Sequence, residues 1–361
     1  MQTVDSNFGL KLKKRREERE MSLQYLGNQI GLSKQSIHRF ENGEQLPSTP
    51  ILLKLSEYLN VLPTFFFEDD TINIEINNIR FRNEEKINKE TFNLNKIKDF
   101  CKSELLKFIE LEEILKVKND FINPLEGLKI KSVKDIEKAA KKIRRKWRLG
   151  YAPISDVTEL IEDKGIYIIE VDLTKDFNGF NGWANNNIPL IIINSNFDEI
   201  TRKRFTLLHE LGHIVLDFID NLSEKKIEEF CNHFAGAVLL VDDTLEQELG
   251  KNRTLVYLSE LKMIKEKYGI SIYSIMVRAM ATKYITFDSY HKWKELYKEW
   301  RENSLNFGDY KGNEEPQVFM QLITRGISEQ KITWGKASEF TGKKIDYLQR
   351  EYNNKPNVIL C

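Results

Sequence analysis

Cysteine is scarce in this chain, and neither sign of charge is in excess. The 361 residues include three cysteines, Cys101, Cys231 and Cys361, which lie far apart. An odd number of distant cysteines excludes a disulfide framework and a Cys-x-x-Cys metal site, and it predicts a reducing, cytoplasmic location. The 55 basic and 55 acidic residues cancel, so any affinity for nucleic acid must come from a local patch.

Long apolar segments are missing as well. The amino-terminal segment is polar and basic, unlike a signal peptide. Since no stretch reaches the roughly 18 uninterrupted apolar residues that a membrane span needs, we expect no membrane association. Hydrophobic residues at 41% and charged residues at 30% are typical of a globular protein, and the length allows two or three domains.

Residues 1–68 predict a bundle of four short helices. A basic amphipathic segment comes first, and Ser22 and Ser33 stand where their hydroxyls can cap the second and third helices. Gly31 ends the second predicted helix, and Asn42 with the glycine after it ends the third. The pattern therefore predicts a small all-α domain at the amino terminus.

A connector with some structure of its own is expected at residues 69–130. Alternation of apolar and polar residues from Thr71 to Ile76 predicts a strand. After a polar segment rich in Asn, Lys and Glu, a helical pattern extends from about Asn93 to Lys118. The charged side chains of the connector are interpreted as a solvated face.

Residues 131–285 predict an α+β domain with a small sheet. Its three predicted strands are Ile166–Val171, Phe180–Ala184 and Leu190–Asn194. Helices are predicted across 201–219 and 224–240, and residues 286–361 predict a helical carboxy-terminal segment of unknown role. The fold class is thus multidomain and mainly α: an all-α bundle, an α+β domain and a helical segment.

A candidate metal site lies on the first of these two helices. His209 and His213 are four residues apart, so a helix presents both imidazoles on one face, where they can share a metal ion. Glu210 projects beside them and can take a proton from water and deliver it to a leaving amine. The alternative is a packed helix whose histidines are satisfied by neighbouring groups.

The third metal ligand cannot be chosen from spacing. A catalytic zinc needs three protein ligands and an open position, and the next helix offers Glu228, Glu229 and His233. Cys231 is disfavoured because it lies among apolar residues. The donor that would stabilise a transition-state oxyanion is also open; its candidates are Arg204, Tyr268, Tyr273 and His233.

The second and third predicted helices resemble the Xre and phage-repressor family of helix-turn-helix domains. The resemblance is carried by Gly31 and by the segment from Ser33 to Gly43, SKQSIHRFENG. In that family the third helix enters the major groove, and polar residues at its amino end contact base edges. The implied base contacts here are Lys34, Gln35, Ser36 and Arg39. The implied phosphate contacts are Asn42 and, on the first helix, Lys11, Lys13, Lys14, Arg15 and Arg16.

The stretch from Glu137 to Arg278 resembles the ImmA/IrrE family of metallopeptidases, which are gluzincin-like. Three segments carry the resemblance: Asn178–Gly182, Arg204–His213 and Glu228–Ala235. The last segment matches the family's Glu-x-x-Ala-Asn-x-Phe-Ala motif, with Cys231 in place of the alanine. The glutamate of that motif is the third metal ligand, so the resemblance implies Glu228. It also implies one Zn²⁺ per chain, with Mn²⁺ as an alternative ion.

In such peptidases the substrate often pairs as an added strand along the edge of the sheet beside the metal. Leu190–Asn194 or Phe180–Ala184 could offer that edge. The alternative is that both are ordinary interior strands. The asparagines at 185–187 predict a hairpin turn between them.

Together these features predict a cytoplasmic transcription regulator with a zinc endopeptidase domain. The expected partners are an operator in double-stranded DNA, a protein substrate and a second copy of the chain in a homodimer. The resemblance implies that the substrate is an Xre-type repressor, or the chain itself, cleaved to derepress stress, prophage or mobile-element genes. The alternative is a non-proteolytic regulator whose peptidase-like domain senses a ligand or metal, within a toxin–antitoxin or phage-defence system.

Overall fold

The computed structural model describes residues 4–19, 21–61, 63–67, 76–81, 94–117, 120–172, 177–303 and 305–353. The chain forms two compact units. The smaller unit contains Met1–Asn73 and Trp334–Cys361, and the larger one contains Ile74–Thr333. Among the described residues, no helix combines the length and the apolar character needed to cross a membrane. The predicted fold class is confirmed: the described chain is mainly helical with small sheets.

The amino-terminal part of the smaller unit is the predicted four-helix bundle. Its helices are α1 (Val4–Glu18), α2 (Leu23–Ile30), α3 (Lys34–Glu41) and α4 (Thr49–Leu59), followed by a 3-10 helix at Pro63–Phe66. The predicted caps are confirmed: Ser22 Oγ accepts from the Tyr25 amide and Ser33 Oγ from the Ser36 amide. Gly31 ends α2 with a φ of 79°, a left-handed conformation that glycine adopts without steric cost.

A buried ion pair connects α1 to α3 in this bundle. Arg16 Nε donates to Glu41 Oε1 at 2.6 Å, and Arg16 Nη2 donates to Glu41 Oε2 at 2.9 Å. Arg16 Nη1 also donates to the Met21 carbonyl at 2.7 Å, so the guanidinium is satisfied inside the protein. The hydrogen bond to Glu41 raises the pKa of Arg16 above its ordinary value. This pair fixes α3 against a core that includes Phe8 and Ile37.

The larger unit has a four-stranded sheet, a two-stranded sheet and ten helices among its described residues. Its strands are β1 (Ile76–Phe81), β2 (Lys129–Ile130), β3 (Tyr167–Val171), β4 (Gly179–Ala184), β5 (Ile188–Asn194) and β6 (Asp217–Phe218). Its helices are α5 (Leu94–Leu115), α6 (Val133–Lys146), α7 (Val157–Glu162), α8 (Ile200–Val215), α9 (Glu224–Leu239), α10 (Asp242–Leu249), α11 (Leu258–Tyr268), α12 (Ile272–Ala281), α13 (Phe287–Glu302) and α14 (Val318–Ser328). The carboxy-terminal helices of the smaller unit are α15 (Trp334–Thr341) and α16 (Ile345–Asn353).

The four-stranded sheet has the order β1-β4-β5-β3. β4 pairs antiparallel with both β1 and β5, whereas β3 and β5 are parallel. The predicted hairpin between β4 and β5 is confirmed, since Asn185 and Asn186 both have positive φ, as its tight turn requires. Of the two alternatives for β4 and β5, the free sheet edge is excluded and the interior position is confirmed, because both strands have neighbours on both sides. Of the strand predicted at Thr71–Ile76, all but its last residue lies outside the described residues, and β1 begins at Ile76.

Helix α8 packs against the sheet and against α9. An added Cβ at Gly212 would lie 3.2 Å from Phe234 Cδ1 and 3.3 Å from Cys231 Sγ. Even an alanine at Gly212 would therefore require these α9 residues to shift by a few tenths of an ångström. Cys231 and Phe234 are fully buried at this contact. Because Gly212 has no side chain, α8 and α9 can approach closely there.

A buried carboxylate joins the segment after α13 to the first half of α8. Glu314 forms an ion pair with Arg204, and both side chains are almost fully buried. The same carboxylate accepts hydrogen bonds from the amides of Val157 and Thr158 at the start of α7, each at 2.9 Å. Burial raises the pKa of Glu314, and the Arg204 charge opposes that rise. The segment between α13 and α14 thus helps to fix α7 and α8.

The pair of Arg16 and Glu41 yields a test of stability. Replacing Arg16 with methionine leaves Glu41 as an uncompensated buried charge, so we expect the unfolding free energy of the smaller unit to fall by about 3–5 kcal/mol. Native-state hydrogen exchange of the α1–α3 amides, followed by mass spectrometry, measures this unit separately from the larger one. Lys13→Met on the exposed side of α1 is the matched control and should change the value by less than about 0.5 kcal/mol. Equal protection in Arg16→Met and Lys13→Met would show that the pair does not stabilise the bundle.

Candidate metal centre and candidate DNA-binding helix

Three side chains from α8 and α9 converge on one point. The Nε2 atoms of His209 and His213 are 3.2 Å apart. Glu228 Oε2 lies 3.2 Å from His209 Nε2, and Glu228 Oε1 lies 3.1 Å from His213 Nε2. His209 is fully buried, whereas the Glu228 side chain is 34% exposed. The cluster therefore opens to solvent on the side of α9.

The geometry of this cluster fits a tetrahedral metal ion. Zinc–nitrogen bonds of about 2.0–2.1 Å with tetrahedral angles separate two ligand atoms by about 3.4 Å, close to the distances found here. Two imidazole nitrogens and a carboxylate are also a ligand set that zinc accepts. Three groups with lone pairs directed at one point repel one another unless a cation or protons lie between them.

The Glu228 carboxylate is suited to remain ionised in this position. Although its burial raises its pKa, the neighbouring His209 and His213 outweigh burial and hold that pKa below its usual range. The Nδ1 atoms of both histidines are buried, and neither has a hydrogen-bond partner among the residues that the structure describes. Both imidazoles thus direct their Nε2 atoms, and not Nδ1, at the shared centre.

The other residues that spacing left open lie elsewhere. Glu229 is 46% exposed and pairs with Lys226 at 2.7 Å. Burial of His233 lowers its pKa, and the positive charge of Arg278 lowers it further. The negative charge of Glu137 opposes both effects. Among the described residues, only His209, His213 and Glu228 form a cluster with metal-ligating geometry.

Glu210 is held by Asn181, a residue to which the sequence alone assigns no role. Asn181 Nδ2 on β4 donates to Glu210 Oε2 at 2.8 Å, and both side chains are buried. A polar residue in the middle of an otherwise apolar, buried strand was the signal that could have identified Asn181. The hydrogen bond fixes the orientation of the carboxylate next to the histidines.

Two of the four candidate oxyanion donors are engaged in other contacts. Arg204 binds Glu314 and donates to the Ile154 carbonyl at 2.6 Å. The Tyr268 hydroxyl donates to Glu248 Oε1 at 2.8 Å. Both residues therefore act as structural groups in this arrangement.

Helix α3 has one apolar and one polar face. Its Ile37 and Phe40 side chains are buried, whereas Lys34, Gln35 and Arg39 are exposed. Ser36 is half-buried, and its hydroxyl shares a 2.9 Å hydrogen bond with Ser33 Oγ. Asn42 is exposed at the end of the helix, where its Nδ2 donates to Glu44 Oε1 at 3.2 Å. Lys34, Gln35 and Arg39 are therefore free to project outward from one surface.

The expectation that Lys11 and Arg16 contact phosphate is wrong. Arg16 is buried in its pair with Glu41, and Lys11 is 6% exposed with its Nζ 5.6 Å from the centre of the Phe65 ring. An amphipathic pattern predicts which face of a helix packs on the core. It does not predict whether a long basic side chain at the edge of that face packs its aliphatic part against the core or extends into solvent. Of the remaining basic residues, Lys13 and Lys14 are exposed.

The two units define a protein in which an all-α helix-turn-helix bundle is joined to an α+β domain with a metallopeptidase-type site. Comparison with known families agrees with this class. Residues 12–66 match the helix-turn-helix family, and residues 161–280 match the IrrE N-terminal-like domain family, peptidase M78. The predicted resemblance is thereby confirmed for both segments.

Similar curated proteins match a short part of this chain. An uncharacterized HTH-type transcriptional regulator from Sinorhizobium fredii is 36% identical over 66 residues, which are 18% of this chain and 46% of the relative. An uncharacterized HTH-type transcriptional regulator from Rhizobium meliloti is 35% identical over 66 residues, 18% of this chain and 48% of that protein. The chain thus spans about half the length of the curated relatives it matches.

Solved structures are similar at a low level. The SOS-response transcriptional repressor LexA from Eubacterium rectale has 22% identity and a TM-score of 0.19, over 20% of this chain and 77% of that one. PlcR from Bacillus thuringiensis has 13% identity and a TM-score of 0.18, over 98% of this chain and 100% of that one.

The cluster of histidines and glutamate predicts how metal binding responds to substitution. Glu228→Gln removes the charge of one ligand, and we expect zinc affinity to fall by more than the roughly 100-fold limit typical of changes around a ligand. Competition with a chromophoric chelator measures the affinity, and elemental analysis measures the zinc content per chain. Glu229→Gln, one residue away and exposed, is the control and should bind zinc as the unmodified chain does. Equal loss in both variants would contradict the ligand role of Glu228.

Proposed function

We propose that this protein is a DNA-binding transcription regulator that also cleaves a protein substrate at a zinc centre. The observation that carries the proposal is the convergence of His209, His213 and Glu228 next to Glu210, whose carboxylate is oriented by Asn181. Packing alone would not require three metal-ligating groups to converge in one partly open site. The match to a peptidase family supports the same chemistry.

In this proposal His209, His213 and Glu228 hold one zinc ion, for which Mn²⁺ is an alternative. Zinc supplies Lewis acidity, which lowers the pKa of water and polarises a peptide carbonyl. Glu210 acts as the general base and then as the acid that protonates the leaving amine. Asn181 holds one oxygen of that carboxylate, so the other can face the reacting groups. Burial of Glu210 limits competing contacts with solvent.

The DNA-binding part of the proposal assigns α3 to the major groove. Lys34, Gln35 and Arg39 project from its exposed surface and are suited to contact base edges. Ser36 and Asn42 complete the proposed contact set, with Ser36 less accessible than the others. Lys13 and Lys14 on α1 can neutralise phosphates. A homodimer would read two half-sites of an operator in double-stranded DNA.

The substrate we propose is an Xre-type repressor or the chain itself. Cleavage would derepress genes for stress responses or for mobile elements. Joining both activities in one chain would confine proteolysis to the neighbourhood of the operator, where the effective concentration of a DNA-bound repressor is high. Retention in the cytoplasm is consistent with this role.

Glu210→Gln tests whether proteolysis is part of the function. The variant loses the general base but keeps all three proposed ligands, so we expect cleavage of a candidate repressor to fall by about 10²–10⁴-fold while zinc content is unchanged. Gel analysis of the repressor and elemental analysis of zinc give the two readouts, with Glu229→Gln as the control. If Glu210→Gln abolished cleavage but left promoter regulation intact, the domain would act as a sensor; if cleavage itself were intact, Glu210 would not be the general base.

Arg39→Ala tests the assignment of α3 to the major groove. Loss of a contact to a base edge should weaken specific binding by about 1–3 kcal/mol and relax the preference at one base pair. Binding-site selection followed by titration of the selected duplex at fixed salt measures both effects. Lys54→Ala, an exposed basic residue on α4, removes the same charge and should alter binding less. Equal losses in the two variants would contradict the assignment.

A further inference from the structure

Strand β1 covers the outer edge of β4, directly beside the candidate centre. On one side β4 pairs with β5, and on the other side it pairs antiparallel with β1. The Cα atom of Arg80 on β1 is paired with that of Asn181, the residue whose side chain holds Glu210. The backbone of β1 therefore passes next to the residue that connects the sheet to the proposed general base.

The face of β4 that carries Asn181 is turned toward α8. An added Cβ at Gly179, two residues earlier on the same face, would meet Thr206 Cγ2 of α8 at 3.3 Å. Helix α8 also carries His209 and His213. Any strand that pairs with the outer edge of β4 consequently runs along the side of the centre.

β1 comes from a different part of the chain than the rest of the sheet. The match to the IrrE N-terminal-like family covers residues 161–280 and includes β3, β4 and β5. Within that segment the sheet order is β4-β5-β3, so β4 is an edge strand whose outer amides and carbonyls are unpaired. The connector before α5 supplies β1 and fills this edge.

The pairing of β1 with β4 is irregular next to the centre. Asn77 is paired with Trp183 and Arg80 with Asn181, so three steps along β1 correspond to two along β4. The extra residue of β1 lies opposite Gly182, where a β-bulge leaves one backbone position unpaired. A bulged edge strand forms fewer regular hydrogen bonds with its neighbour than a continuous strand does. β1 can therefore dissociate from β4 more easily than a regularly paired strand could.

We propose that β1 holds the place of the substrate on the outer edge of β4, and that an extended segment of a partner protein must displace it to reach the centre. The inference rests on the proposed peptidase function for its biological meaning. An exposed strand edge recognises backbone hydrogen-bonding groups, so its partner is an unstructured polypeptide that pairs antiparallel to β4. Occupation by β1 keeps the edge closed until such a segment competes for it, which restrains proteolysis in the absence of the right partner.

A binding experiment tests this without relying on turnover. The probe is a fluorescein-labelled synthetic peptide with the sequence of residues 74–83, IEINNIRFRN, titrated by anisotropy into the zinc-loaded full chain carrying Glu210→Gln. Asn77→Pro/Arg80→Pro removes two backbone donors from β1 and is incompatible with regular pairing. Asn83→Pro/Lys86→Pro, with the same spacing but outside β1, is the matched control.

We expect the probe to bind the β1 variant at least about tenfold more tightly than it binds the control. In the control β1 occupies the edge of β4, and if that edge is open for only about a tenth of the time, the apparent affinity for the probe is about tenfold weaker. The same peptide with proline at the positions of Asn77 and Arg80 should not bind. Equal affinity in the β1 variant and the control, or no binding to either, would overturn the proposal.

A second pair of variants keeps the proposal testable if the prolines impair folding. Ile76 and Ala184 are paired across β1 and β4, and Ile76→Cys/Ala184→Cys can form a disulfide that fixes β1 in place. Oxidation should abolish probe binding, and dithiothreitol should restore it; binding that ignores oxidation contradicts the proposal. Cleavage of the candidate repressor by chains that retain Glu210 is measured in parallel. If the β1 variant binds the probe tightly and no chain cleaves the repressor, the displacement of β1 is supported and the proposed peptidase function fails.

Discussion

The close approach of α8 and α9 at Gly212 is the constraint on which the candidate centre depends. His209 and His213 share a helix and would meet in any conformation that keeps α8 intact. Glu228 belongs to α9, and its carboxylate lies within hydrogen-bonding distance of both imidazoles because α9 packs closely on α8, with Cys231 and Phe234 against Gly212. The same glycine lies between His209 and His213 in the sequence, so one short segment supplies two proposed ligands, the proposed base and the space for the helix that carries the third proposed ligand.

Buried charges secure the elements around both proposed functions. In the smaller unit, Arg16 and Glu41 join α1 to α3, so the helix proposed to enter DNA is held from its inner side. In the larger unit, Arg204 and Glu314 connect the first half of α8 to the start of α7 and to a segment after α13. Each pair is satisfied by further hydrogen bonds to backbone groups, which offsets the cost of removing charge from water. The exposed face of α3, which is proposed to contact DNA, is thereby left open.

Much of the fold and part of the site could be predicted from local patterns. The helix caps at Ser22 and Ser33 and the hairpin at Asn185 and Asn186 depend on interactions within a few residues, and both are found as expected. Predictions that depended on distant partners were less successful. Lys11 and Arg16 looked like surface cations, but residues far along the chain bury them. The sequence left open whether β4 or β5 offers a sheet edge, and β1 from the connector covers β4.

The amino-acid sequence by itself determined the helix-turn-helix bundle, the facing histidines at an i, i+4 spacing and the glutamate between them, because helical geometry converts short spacing directly into proximity. It left Glu228, Glu229 and His233 as equal candidates on spacing alone, with only family resemblance favouring Glu228. The tertiary structure brought Glu228 to the histidines, Asn181 to Glu210 and β1 to the edge of β4. Those contacts join segments far apart in the chain, and their geometry is set by the packing of α8, α9 and the sheet, which no local pattern encodes.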